Sequence, residues 1–159
     1  MTTPPVGAAD LAALPLFEGL PDDELAGLAA VATRRRLADG EVLFEQGDPA
    51  VTLYHVIEGG LVLRAGGNGR EVIVDTLGPG DLLGWSAIGD DATTLSAARA
   101  VGDTELIEVP VEPIVNLAAG GSRMARVLLR RLLGIAAGHL QASRAQLLQV
   151  GREGIISAG

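Results

Sequence analysis

Residues 40–63, GEVLFEQGDPAVTLYHVIEGGLVL, place β-rich runs between glycine corners. The runs Glu41 to Glu45 and Val51 to Ile57 carry Val, Leu, Ile, Phe and Tyr, which suit a pleated, half-buried surface. Gly47-Asp48-Pro49 and Glu58-Gly59-Gly60 separate them and are turn chemistry. Outward from this stretch the pattern repeats, with runs at Gly60 to Ala65, Glu71 to Leu77, Thr93 to Val101 and Thr104 to Val109. Corners fall at Asp39-Gly40, Gly66-Gly67-Asn68-Gly69, Gly78-Pro79-Gly80-Asp81 and Gly102-Asp103. Short strands at this spacing predict a mainly β sandwich or roll from Thr33 to Pro110. Val72 and Val74 alternate with Glu71 and Asp75, which predicts one buried and one wet face.

On either side the period becomes helical. Residues 1–10 contain prolines and little to bury, and read as a flexible tail. From Leu11 to about Ala32 the pattern is of short helices: Pro21 suits a first turn, Asp22, Asp23 and Glu24 favour its positive end, and Leu25, Leu28 and Val31 form an apolar face. Beyond the strands, Val111 to Leu117 reads as a short turn or helix, and Gly120-Gly121 then breaks the chain. Ser122 is positioned to cap a long helix reaching about Val150, with Gly151 just past its end and a tail over 151–159. Leu129, Leu133, Ala136, Leu140, Ser143, Leu147 and Val150 lie at alternating spacings of four and three, a heptad seam that suits homodimerisation. Leu128, Leu132 and Ile135 form a second line for packing on the roll. Gly134 and Gly138 lie off the seam and suggest close backbone packing or a bend.

The chain has 159 residues, with 20 acids against 12 basic residues, and net charge −8. Every basic residue is Arg. That balance argues against sequence-independent binding to DNA or anionic lipid. Without Cys, thiolate chemistry is excluded. The N-terminus lacks a basic export-signal region, and no stretch suits a membrane span, so a cytoplasmic protein is expected.

The stretches LFEGLPDDELAGLAAVA, GEVLFEQGDPAVTLYHVIEGGLVL, LGPGDLLGWSAI and SAARAVGDTELIEVP, in this order, resemble the cyclic-nucleotide-binding domain family, in particular its catabolite activator-like effector domains. Gly40-Glu41, Phe44, Gly47-Asp48, Tyr54, Gly60, Gly78, Gly80-Asp81 and Gly84 fall at that family's corners. The resemblance implies a double-stranded β-helix, or jelly roll, over 11–117, with short N-terminal helices and a long C-terminal helix over 118–150. It also implies a ligand site at a short helical cassette, where a Glu meets a ribose hydroxyl and an Arg meets the cyclic phosphate. Here Trp85 stands at the Glu position and Thr94 and Leu95 at the Arg-Ser position. A phosphate without its cation loses charge-assisted bonds worth about 1.5–3 kcal/mol each, so the expected ligand is a small molecule, a cyclic nucleotide or another, with an Arg from elsewhere in the chain or a second subunit needed for the former.

The pocket expected in its place is neutral and bears hydroxyls. Its residues are Leu83, Gly84, Trp85, Ser86 and Ala87 at the helix entrance, with Thr93, Thr94, Leu95 and Ser96 opposite. Trp85 either stacks on a flat ligand ring or fills the space as core, and the amides of Ser86 and Ala87 offer weak anion binding.

No nucleophile elbow or P-loop is present, and no cofactor is implied. His55 and His139, the only histidines, read as a partly exposed strand residue and a helix-surface residue rather than metal ligands. Arg34-Arg35-Arg36 reads as a solvated edge strand. The residues after Val150, GREGIISAG, are too few for a DNA-reading helix. The expectation is a non-catalytic, stand-alone regulatory or sensor domain that is dimeric and acts on a protein partner. The alternative is a ligand-independent interaction or assembly module.

Overall fold

The computed structural model describes the backbone of residues 3–157 and the side chains of residues 3–152. Two short helices, α1 (Ala8–Ala12) and α2 (Asp22–Ala29), flank a single-turn helix at Pro15–Phe17. The strands follow as β1 (Thr33–Leu37), β2 (Val42–Phe44), β3 (Thr52–Gly67), β4 (Arg70–Leu77), β5 (Leu82–Leu83) and β6 (Ala97–Pro110). A single-turn helix, Trp85–Ile88, lies between β5 and β6. The chain ends in α3 (Glu112–Ala119) and α4 (Arg123–Ser157). All strand pairs are antiparallel, in the order β1-β6-β3-β4, with β2 added to β6 and β5 to β3. This is the mainly β roll with flanking helices that the glycine corners and short strands foretell.

Two of the expected turns lie inside strands. β3 runs straight through Glu58-Gly59-Gly60 because its register against β6 slips between Val56 and Gly60. Bulges of this kind shift which positions face inward. Tyr54 and Val56 face the roll interior before the slip, and Leu61 and Leu63 after it. Gly59 adopts φ +78°, and a Cβ there would lie 2.3 Å from the Asp103 carbonyl oxygen, so only glycine allows β3 and β6 to meet at this point. β6 likewise passes through Gly102, while Thr93 to Ser96 lie outside any strand.

The core has two parts. Inside the roll, Leu37, Leu43, Val56, Leu61, Leu63, Leu83, Ala98, Ala100 and Leu106 pack together. Outside it, Leu53, Ile107 and Val109 meet Leu11, Phe17, Leu25, Leu28, Ile114, Leu128 and Leu132 from the helices. Burial of these aliphatic side chains, at about 1.5–3 kcal/mol each, fixes the helices onto the sheet. Arg131 adds a polar clamp: its guanidinium donates to the carbonyls of Leu16 at 2.8 Å and Glu18 at 2.9 Å.

Several expectations change. The part of the expected tail over 3–10 is tied down, since Val6 is buried, α1 starts at Ala8, and Asp10 pairs with Arg34 at 2.5 Å. β1 is the edge strand expected of Arg34-Arg35-Arg36, but its arginines are paired within the chain: Arg34 and Arg36 with Glu105, and Arg35 with Glu108. Val31 lies past the end of α2 and is exposed. Val72, Ile73 and Val74 are all more than half exposed, because β4 is an edge strand with β3 as its one neighbour. Ser122 Oγ accepts from the Ala125 amide, as its capping position implies, but α4 continues through Gly151 to Ser157. Residues 158 and 159 of the expected tail lie outside the described residues. A Cβ at Gly134 or Gly138 would meet nothing within 4 Å, so neither marks close packing within the chain.

Candidate functional site

Leu82 and Leu83 of β5 lead directly into the single-turn helix at Trp85. The turn between them is made by Gly84, at φ +92°, with its Cα so close to β3 that a Cβ would lie 2.3 Å from the Thr52 carbonyl oxygen. A left-handed residue without a side chain is the local condition that throws Trp85 outward. The indole then faces α4 and lies against the imidazole of His139, with ring centroids 5.3 Å apart and planes 19° from parallel.

These two rings border a cleft of about 340 Å³ between roll and helix. Leu63, Val74, Leu77, Leu83 and Leu95 form its apolar walls, and Leu140 and Ser143 close it from α4. Among the described residues the ionisable groups at its surface are Asp75 and His139, and no arginine lines it. One Asp75 carboxylate oxygen accepts from the Thr76 amide at 2.8 Å. Asp75, Leu77, Leu82 and His139 also border a neighbouring hollow of about 390 Å³ beneath α4.

The residues expected at the ligand site divide. Leu83, Trp85 and Leu95 line the cleft, and Gly84 sets the turn. Ala87 and Thr93 face a different hollow, shared with Val111 and Val115. Thr94 is held by the loop before β3: its hydroxyl donates to the Glu45 carbonyl at 2.6 Å and its amide to Asp48 at 2.8 Å. Ser86 and Ser96, both partly exposed, border none of these hollows. The Ala87 amide is not available to an anion, because it donates to the Gly84 carbonyl at 2.9 Å and closes the single turn.

Leu63, Val74, Asp75 and His139 were not expected at the site. The inward parity of β3 beyond its bulge places Leu63, and Arg64 and Arg99 lie with Glu45 and Glu71 at a separate small hollow. The one sequence sign for His139 is its position beside Leu140 on the long helix.

His55 is buried rather than partly exposed, at 1% of its surface. It points from β3 toward the helices, against Phe17 at 5.4 Å, and neither ring nitrogen has a hydrogen-bond partner. Burial pushes its pKa down to about 4, so the ring is neutral near pH 7.

The expected seam of α4 is divided as well. Leu129 packs partly on the chain's own core and Ala136 is half-buried, while Leu133, Leu140 and Leu147 are 63%, 55% and 72% exposed. Among the described residues no set of three metal-ligating side chains converges. No helix among them is long and apolar enough to cross a membrane.

Comparison with known proteins gives a consistent result. The family model described as cyclic nucleotide-binding domain matches residues 34–120, more than half of the chain. The Cyclic AMP receptor protein of Thermus thermophilus is 35% identical over 123 residues, covering 74% of this chain and 57% of that protein. Acetyltransferase Pat of Mycolicibacterium smegmatis is 35% identical over 136 residues, covering 80% of this chain and 39% of that protein. The crystal structure of Thermus thermophilus Catabolite Activator Protein aligns with a TM-score of 0.72 at 30% identity, over 86% of this chain and 63% of the other. The chain thus spans less than two thirds of each of these proteins. With its roll, its glycine corners and its long closing helix, the chain belongs to the cyclic nucleotide-binding domain family.

Proposed function

We propose that the chain is a non-catalytic regulatory domain whose cleft between roll and α4 takes a small flat ligand other than a cyclic nucleotide. The observation that carries this reading is the lining of the cleft. It offers an indole face and aliphatic walls, with Asp75 in place of a cation. A cyclic phosphate entering there would be desolvated without an opposite charge, which costs more than the apolar walls return. Trp85 also supports a signalling route. It belongs to the roll but touches His139 of α4, so a ligand that displaces the indole acts directly on the helix.

We further read α4 as a homodimer element, with Leu133, Leu140 and Leu147 at heptad spacing on its exposed side. A shifted α4 would then alter the surface offered to a protein partner. The same exposed stripe favours a second reading, an assembly module that needs no ligand.

Titration calorimetry with cAMP and cGMP, with Trp85 emission followed in parallel, tests the first reading. The expected result is no saturable heat at millimolar nucleotide. Saturable micromolar binding of either nucleotide would overturn it. A fragment screen read by Trp85 quenching separates the two readings, since a ligand-free module gives no saturable hit.

A further inference from the structure

The cleft at Trp85 and the hollow beside it form one groove under α4, because Asp75, Leu77, Leu82 and His139 border both. Two carboxylates, Asp75 and Asp81, lie along this groove, with the imidazoles of His55 and His139 and the hydroxyls of Thr76 and Ser143. The Gly78 amide occupies one oxygen of Asp81. Among the described residues the remaining oxygen of Asp75 has no hydrogen-bond partner, and no arginine lines either part. The whole chain, at net charge −8, adds a field that repels anions from the groove.

We propose that this groove binds an aromatic cation: a planar ring that lies on Trp85 and carries a protonated amine or amidinium that pairs with Asp75. The inference rests on the reading of the cleft as a small-molecule site and names its ligand class. The indole supplies a π face that attracts both flat rings and cations, and the aliphatic walls exclude water from the ring. Asp75 lies at the junction of the two hollows. A ring in the Trp85 half that carries a short amine arm has this carboxylate as its counter-charge, and the apolar walls strengthen that pairing.

The test is calorimetry on the full chain with three probes that share one ring and differ in charge: naphthylmethylamine, naphthalenemethanol and naphthoate. Wild type is expected to bind the amine about tenfold more tightly than the alcohol, with the carboxylate weakest. In Asp75→Asn, the side-chain oxygen can still accept from the Thr76 amide. The amine's advantage is expected to disappear there while alcohol binding is retained. Equal affinity for all three probes, or the carboxylate binding best, overturns the cation assignment and leaves the small-molecule reading in place. No binding of any probe, with Trp85 emission unchanged, overturns both. The order among probes in wild type decides the matter even if Asp75→Asn folds poorly.

Discussion

The indole of Trp85 lies nearly parallel to the imidazole of His139, 5.3 Å away, so the roll and the long helix meet through two flat faces. Aromatic pairs of this geometry contribute about 0.5–1.5 kcal/mol beyond the area they bury. A double-mutant cycle of Trp85→Ala and His139→Ala, followed by urea unfolding, should give a coupling energy in that range. A coupling near zero would mean that the rings are neighbours without mutual stabilisation. The link between cassette and helix would then fail.

Gly84→Ala is expected to be strongly destabilising. The backbone there is left-handed, which costs a side-chain-bearing residue about 1–2 kcal/mol, and the new methyl would lie 2.3 Å from the Thr52 carbonyl oxygen. Relief requires β3 to move. A fall in Tm of roughly 5–8 °C is expected in a thermal melt. A shift under about 2 °C would show that the turn adapts freely.

His55 gives the fold a defined response to acid. Its folded pKa, about 4, lies below the ordinary histidine value of 6.5, because burial disfavours the charged ring. Between these values the unfolded chain binds a proton that the native state does not. Stability is therefore full above about pH 6.5 and falls as pH drops toward 4, by up to about 3 kcal/mol. Asp10, whose carboxyl is held below its ordinary value by the Gly7 amide, acts only at still lower pH. His55→Leu should flatten the stability profile between pH 6.5 and 4 in denaturant titrations. An unchanged slope would assign the loss to other groups.

Leu133→Glu with Leu147→Glu places two charges on the exposed stripe of α4 while leaving the cleft residue Leu140 untouched. Sedimentation should show a dimer for wild type and a monomer for the variant. A mass that does not change would rule out the seam as the contact.

Most of the roll was legible because its corners are set locally. A glycine that must hold positive φ, as at Gly40, Gly47, Gly80 or Gly84, announces a turn whatever the rest of the chain does. The long helix was legible for a similar reason, from its cap at Ser122 and its repeating leucines. What escaped depends on which elements become neighbours. Val72 and Val74 alternate with acids as a half-buried strand should, but β4 has no second sheet neighbour to cover them. His55 lies among residues that suit a strand, and no local sign tells that Phe17 and the helices cover it. The division of the site is of this kind too. Trp85 was identifiable from the cassette alone. Its contact with His139, more than fifty residues later, exists only once α4 lies across the roll.

The clamp at Arg131 makes α4 a cantilever. Its root is held by the carbonyls of Leu16 and Glu18, and beyond that fulcrum the helix continues to Ser157, about 39 Å at roughly 1.5 Å per residue. His139, which meets the Trp85 indole, lies only about 12 Å along the helix from that root. If α4 pivoted as a rigid rod at Arg131, an ångström of movement at His139 would become about three where the helix ends.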